Sequence, residues 1–505
     1  MKLKIGILLI MMGVAFGSCK KGWLDVNNNP NSPTATTSDL VFTNALNTTI
    51  GTLGANQLGG FWGGHWSQST SFIGGQAQMT YVVTNTDFNF WTGYYNNLYD
   101  YEFVINNGKT DGRPNLAGFA RVMKCMVYQN LIDLYGNIPY SDALKGTTVL
   151  QPKYDDAKTI YEDLIKQLDA AIAEIKAATA ASDPADIVFA GNRQQWVRFA
   201  NTLKMRILMR QSAMAGRDAY ITAEINKIVA EGSGLLALGE NVTASPGYQS
   251  GVVGKINPFY ATYGFDANNA PAGSNKFIRM SKLLVDNFKA TNDTFRMKHV
   301  CSPRPDASNG GIVTQATAET FAASRYVGVP LGAQGTAYLE AVCSPIGPFQ
   351  IEAYNQIKRQ IIMTSSEAQF LMAEAKQRWP SVTLPLSAED YYKNGVTESF
   401  RLTGTAVSNA TTLLNSGINN ADFAASTNKL NAIALQKWIS LANINGLEAW
   451  SENRKSGFPV VPLSAQASTT SQPIRLPYPL VEESSNTPNV PKGINIFTSK
   501  IFWDN

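Results

Sequence analysis

Two histidines, His65 and His299, and 38 acidic residues are the main groups this 505-residue chain offers for catalysis. The histidines lie far apart, and no His-Glu-x-x-His, Cys-x-x-Cys or close His pair occurs, so a catalytic zinc site has too few ligands. Gly247-Tyr248-Gln249-Ser250-Gly251 comes nearest to a nucleophile elbow, but its serine stands one position too late for Gly-x-Ser-x-Gly. Neither a P-loop nor a dinucleotide-binding glycine fingerprint is present. Carboxylate pairs that hydrolyse glycosides are usually far apart in sequence, so the acid count neither supports nor excludes one. No catalytic residue, metal or cofactor is therefore assigned.

Recognition chemistry is better represented. Residues 61–101 hold twelve aromatics in 41 positions, set among Gly59, Gly60, Gly63, Gly64, Gly74 and Gly75. A pyranose has an apolar C–H face and a polar edge, so rings with amide or hydroxyl neighbours are what grips a neutral sugar. Trp62, Trp66, Tyr81 and Trp91 are the candidate rings, with Gln68 and Gln76 as polar companions. Asn257-Pro258-Phe259-Tyr260-Ala261-Thr262-Tyr263 opens a second irregular stretch, from which Tyr260 and Tyr263 are candidates to face the first cluster. An aromatic is more often core than platform, and Phe88, Phe90, Tyr95 and Tyr99 are read as packing. The aromatic richness tilts the ligand toward glycan, with peptide the other reading.

The elements that must position these residues are helical. Leu116, Phe119, Met123, Met126 and Val127 share one face of a segment ending at Tyr135-Gly136. Ile160, Tyr161, Leu164, Ile165, Leu168, Ala171, Ile172 and Ile175 recur at steps of three and four, opposite Glu162, Asp163, Lys166 and Asp169, with Asp155 or Asp156 as start signal. Further helices are expected over 194–212, 221–230, 365–378, 388–402 and 430–445. Their succession suggests paired-helix packing of tetratricopeptide type, although the 34-residue consensus is not legible. Residues 240–350 are rich in Gly, Pro, Ala and Thr and read as irregular structure over the helical body, where binding usually sits. Trp196, Trp438 and Trp450 fall in helices and are read as core. Glu367 and Glu374 share a helix face and, like Arg454, are read as structural polar contacts.

Charged residues are only 16 % and the net charge is +4, with no basic patch, so nucleic acid is not an expected partner. Met1-Lys2-Leu3-Lys4, an apolar run from Ile5 to Phe16 and Gly17-Ser18-Cys19 read as a secretory signal ending in a lipobox, Phe16 standing where Leu is preferred. Acyl chains on Cys19 would anchor the protein at ~0.8 kcal/mol per buried methylene. No other segment is apolar enough to span a bilayer. Trp23–Thr34, dense in Asn and Pro, reads as an extended tether. Cys125 is expected to be a buried thiol, while Cys301 and Cys343 flank one insert and could bridge after export.

Five stretches, in order, resemble one family. Leu134-Tyr135-Gly136-Asn137-Ile138-Pro139-Tyr140-Ser141-Asp142-Ala143 is similar to the "DxYGDIPYSEAL" stretch of SusD/RagB nutrient-binding lipoproteins. Asp186–Asn192 followed by Trp196–Arg206 resembles "DliyxGd…WxkfaNsLklR", and Ser366–Ala375 resembles "yaEvqFllAEA". Gln436-Lys437-Trp438, Glu448-Ala449-Trp450 and Arg454-Lys455-Ser456-Gly457-Phe458-Pro459 resemble "QKW…EaW…RRTGyP", with Lys455-Ser456 replacing Arg-Thr. Arg475-Leu476-Pro477-Tyr478-Pro479 and Glu482 complete the match. Asn292–Arg296 departs from the usual Asp-Pro-Arg, and Lys20-Lys21 stand where surface-exported relatives carry acids.

The resemblance implies an all-α SusD-like fold with tetratricopeptide-like helix pairs and a loop-rich binding region. Its domains would be a signal peptide (1–18), a lipidated cysteine and tether (19–36) and a ligand-binding domain (37–505) with a loop-rich insert near 240–350. It implies an outward-facing, lipid-anchored outer-membrane protein that captures oligosaccharides or peptides for a SusC-like TonB-dependent transporter. A surface glycoside hydrolase or peptidase, and a structural lipoprotein without ligand, are the alternatives.

Overall fold

The computed structural model describes residues 36–504 except 55, 73–75, 180–182 and 306–312. The signal segment, Cys19 and the leader through residue 35 lie outside the described residues. The chain divides into Met1–Thr37 and Ser38–Asn505, and the helical body belongs to the second unit.

The periodic segments fold as their spacing dictates. Ala157–Ala177 buries all eight apolar residues of its stripe, and the Asp156 carboxylate accepts the Thr159 N–H at 2.9 Å to start it. Arg193–Arg210 is capped by Asn192, Ser365–Arg378 by Thr364 and Ala388–Thr403 by Ser387, each accepting a first-turn N–H. Pro114–Tyr135 begins with Pro at its first position and stops at Gly136, whose φ is +75°. Asp218–Glu231 stops at Gly232, φ +85°. The helix expected over 430–445 is shorter, Lys429–Ser440; the chain turns through Asn443 (φ +60°), and the Asn445 side chain caps a further helix, Gly446–Ser456.

These helices stack in pairs. Trp91–Asn107 packs on Pro114–Tyr135, which packs on Ala157–Ala177, which packs on Arg193–Arg210. Ser365–Arg378 packs on both Ala388–Thr403 and Lys429–Ser440. The architecture is all-α with tetratricopeptide-like pairs. Among the described residues the strands form three two-stranded ladders: Trp66–Gln68 with Ile278–Met280, Ile138–Pro139 with Tyr154–Asp155, and Val242–Ala244 with Gln360–Met363. No described helix is long and apolar enough to cross a membrane.

Three sequence expectations need correction. The aromatic stretch ends in a long helix, Trp91–Asn107, and the 240–350 region includes Lys282–Ala290 and Thr294–Val300, capped by Ser281 and Asp293. Cys301 and Cys343 are not bridged; both are free and buried, and the backbone of Cys301 pairs instead with Ile346. Burial pushes the Cys125 thiol up to about 12 and that of Cys343 to about 11, which leaves both inert. Tyr99, expected to pack, is about half exposed.

Where five helices meet, a buried ionic network joins them. Arg206 binds Glu367 bidentately, Nε donating to Oε1 at 2.6 Å and Nη2 to Oε2 at 2.8 Å. Arg210 pairs with Glu448 and, at 3.3 Å, with Asp133, whose other carboxylate oxygen accepts the Tyr161 hydroxyl. Lys437 lies 2.8 Å from Glu452 and 3.3 Å from Glu448, and Lys455 joins Glu452 to Glu374 at 2.8 and 2.7 Å. Arg454 stacks between Trp450 and Trp503 and reaches Asp504 at 3.4 Å. Glu367, Glu374 and Arg454 are thus structural contacts.

Candidate ligand-binding site

The two irregular regions meet on the ladder of Trp66–Gln68 with Ile278–Met280, in register Trp66↔Met280, Ser67↔Arg279 and Gln68↔Ile278. One side of this ladder forms the wall of a cleft of about 390 Å³, lined by Gly64, Trp66, Leu283, Leu331, Val461 and Leu463 among others. That volume lies within the ~300–1,000 Å³ range of ligand pockets. A strap holds the loops around it: Ala465 N donates to Leu331 O at 2.9 Å, Gln466 Nε2 to Gly332 O at 3.0 Å, and Ser468 N to Thr80 O at 2.9 Å. The walls are apolar, and the charged rim is the Lys282–Asp286 ion pair. Asp286 is the one carboxylate among the described lining residues, so this cleft lacks the paired carboxylates of a glycoside hydrolase.

At the other end of the ladder, Phe72 stands 37 % exposed, edge-on to Phe277 at 5.5 Å. Its loop is tied to a neighbour by Thr70 N donating to Tyr338 O and Glu340 N to Ser71 Oγ, both at 2.9 Å. Arg279 sits behind them and donates to the carbonyls of Asn275, Ile278 and Glu340. With carbonyls rather than carboxylates as its hydrogen-bond partners, burial brings its pKa down to about 10.

The structure moves most sequence candidates inward. Trp62, 2 % exposed, donates its indole N–H to Gln78 O at 3.1 Å and packs edge-on to Trp450 at 5.0 Å. Tyr81 is buried against Trp62, its hydroxyl accepting the Ser464 N–H at 3.2 Å. Trp91 is buried among Tyr95, Tyr135 and Tyr478. Tyr263 does meet Trp66, at 4.7 Å, while Tyr260 packs apart with Ile256 and Ala267; both tyrosines are core. These rings are buried because their helices and turns carry them into the body, which composition cannot reveal. Trp66 is buried too, its indole N–H held by Asn443 Oδ1 at 2.7 Å, yet it lines the cleft. Gln68 is buried and donates to Phe72 O; Gln76 is exposed. Phe72 was missed. Its signal is local: Phe72 stands in a short Ser-Thr-Ser-Phe-Ile-Gly-Gly run that carries no helical apolar stripe to take it inward.

The remaining groups with reactive potential are held still. His65 is fully buried with Nε2 2.9 Å from the Trp438 carbonyl, which can only accept, so Nε2 carries the proton. Burial lowers its pKa to about 4. The Ser250 hydroxyl donates to Gln356 Oε1, an amide rather than a base. No group of His, Cys, Asp and Glu among the described residues could hold a metal.

The described residues thus form stacked helix pairs that carry a loop-built apolar cleft. The chain belongs to the SusD-like_2 family, described as "Starch-binding associating with outer membrane", whose model matches residues 30–479. A chitin-binding SusD homologue from Flavobacterium johnsoniae superposes with a TM-score of 0.73 at 22 % identity, covering 92 % of this chain and 98 % of that one. A SusD homologue from Bacteroides fragilis gives 0.73 at 21 %, covering 93 % and 98 %. A SusD/RagB family protein from Bacteroides thetaiotaomicron gives 0.71 at 21 %, covering 93 % and 99 %. At such identities the likeness establishes the fold. No curated protein matches the chain.

Proposed function

We propose that the protein is a lipid-anchored, surface-exposed outer-membrane protein that captures oligosaccharides and delivers them to a SusC-like TonB-dependent transporter. The observation that carries this reading is the apolar cleft on the Trp66–Gln68 ladder, held by loops on a rigid helical body in a chain of this family. Two of the similar solved structures are described as chitin-binding, which favours glycan over peptide. An apolar wall of Trp66, Leu283 and Leu463 suits the C–H face of a sugar ring, and Phe72 offers an exposed ring at the other end of the same ladder. Tyr81 and Tyr263 support the cleft from behind. Cys19 is the proposed lipid site, with 1–18 removed, 19–36 as tether and 37–505 as the binding unit.

Two measurements test it. The lipidated protein, extracted in gentle detergent, should co-purify with a large β-barrel partner; purification alone would sink the delivery role. A panel of oligosaccharides and peptides should include a glycan that raises Tm, and turnover of a panel member abolished by a carboxylate change would favour the hydrolase reading instead.

A further inference from the structure

A second cleft, of about 430 Å³, lies between the helix Ser38–Gly54 and the loop leading into the helix Pro258–Tyr263. It shares no lining residue with the first. Its floor is left open by Gly51: a Cβ there would meet nothing within 4 Å. A mid-helix glycine costs stability relative to alanine, and packing does not require one at this position.

The facing loop turns on Gly247, Gly251 and Gly254, all at positive φ, and is nevertheless fixed. Gln249 N donates to Lys255 O at 2.7 Å, while Gly251 N and Ser250 Oγ both donate to Gln356 Oε1 at 2.8 Å. Gln356 is itself buried and donates onward to Asn269 Oδ1 at 3.1 Å. Such a wall is pre-organised, so little ordering cost falls on a ligand. Tyr248, in this wall, is half-buried, with its hydroxyl turned away from solvent. Among the described lining residues Lys255 carries the one formal charge, and the amides of Asn47 and Gln249 stand beside it.

We propose that this cleft is a second ligand site, built for a saccharide that bears a carboxylate. The ring's C–H face would lie on Tyr248 and Pro258, its hydroxyls would meet Asn47 and Gln249, and its carboxylate would meet the Lys255 ammonium. The arrangement offers donors and apolar surface with no competing acid, which suits a uronic acid better than a neutral hexose.

Calorimetric titration of the mature chain with trigalacturonate, and with maltotriose as the neutral arm, tests the site. Trigalacturonate should bind at least tenfold more tightly than maltotriose. Lys255→Gln and Gly51→Tyr should each weaken it at least tenfold, whereas Phe72→Ala, on the ladder that carries the first cleft, should change it less than twofold. Lys255 is exposed, so its substitution leaves the fold intact and decides the matter if Gly51→Tyr lowers Tm. Absence of trigalacturonate binding, equal affinity in Lys255→Gln, or equal binding of the neutral trimer overturns the proposal. Loss in Phe72→Ala alone returns the ligand to the first cleft and overturns it equally, while leaving the reading of that cleft standing.

Discussion

Trp66 and Phe72 belong to one strand and the loop after it, and they should fail in opposite ways when truncated. Trp66 rests on Gly60 so closely that a Cβ there would come within 2.3 Å of its ring, and Tyr263 and Asn443 close its other contacts. Trp66→Ala should therefore cost about 3–5 kcal/mol of stability, seen in denaturant titration, whatever it does to ligand. Phe72→Ala should stay within about 1 kcal/mol of the parent and instead weaken glycan binding by ~1–3 kcal/mol. A Phe72→Ala protein that binds unchanged would move the platform elsewhere. Residue type alone does not separate such a pair. Both are aromatics in a Gly-rich stretch, and only the pairing of Trp66 with Met280, far along the chain, decides which one turns inward.

At the scale of elements, legibility follows the reach of the interactions. Ala157–Ala177 and Ser365–Arg378 were readable because a stripe and a cap are local. The three ladders were not, since strands of two to four residues carry no period and exist through distant partners. Crossings between helices are equally non-local. Gly59 and Gly446 touch where Gln57–Trp62 meets Gly446–Ser456: a Cβ on Gly59 would lie 2.3 Å from Leu447 N, and one on Gly446 2.4 Å from Gly59 C. Both contacts are backbone, so the helices must separate. Gly446→Ala should cost more than ~3 kcal/mol, or prevent folding, because overpacking a fixed crossing has no soft neighbour to absorb it. Gly51→Ala, also in a helix but facing open space, should raise stability by about 0.5–1 kcal/mol. Thermal melts of the two variants check the contrast, and a neutral Gly446→Ala would contradict the crossing.

Across the whole molecule, the motifs that carry the family resemblance and the buried ionic network are largely the same residues. Arg206, Glu367, Glu374, Lys437, Glu448 and Lys455 all fall within them. The signature thus specifies how the helices are joined, which is why the fold was legible, while both clefts are lined mainly by residues outside it. The same network sets the response to acid. Burial opposes charge on Glu448, but Arg210, Lys437 and Arg206 outweigh it and hold its pKa at about 2, below the ordinary 4.5. Glu452 and Glu374 are lowered likewise, chiefly by Lys437 and Lys455, against burial. A carboxylate depressed on folding contributes stability that is complete above pH 4.5 and lost as pH falls toward 2. His65, lowered by burial from 6.5 to about 4, adds an earlier loss: stability complete above pH 6.5 declines toward pH 4 as the unfolded chain takes up the proton. Tm should therefore fall gently below pH 6.5 and steeply below 4.5. His65→Gln keeps a donor for the Trp438 carbonyl and should flatten the gentle phase, His299, also lowered by burial, supplying the remainder. Glu448→Gln should cost about 3–5 kcal/mol at neutral pH by leaving Arg210 undercompensated, and should shrink the steep phase. A Tm that holds unchanged down to pH 3 would mean that these charges are not paired as the structure places them.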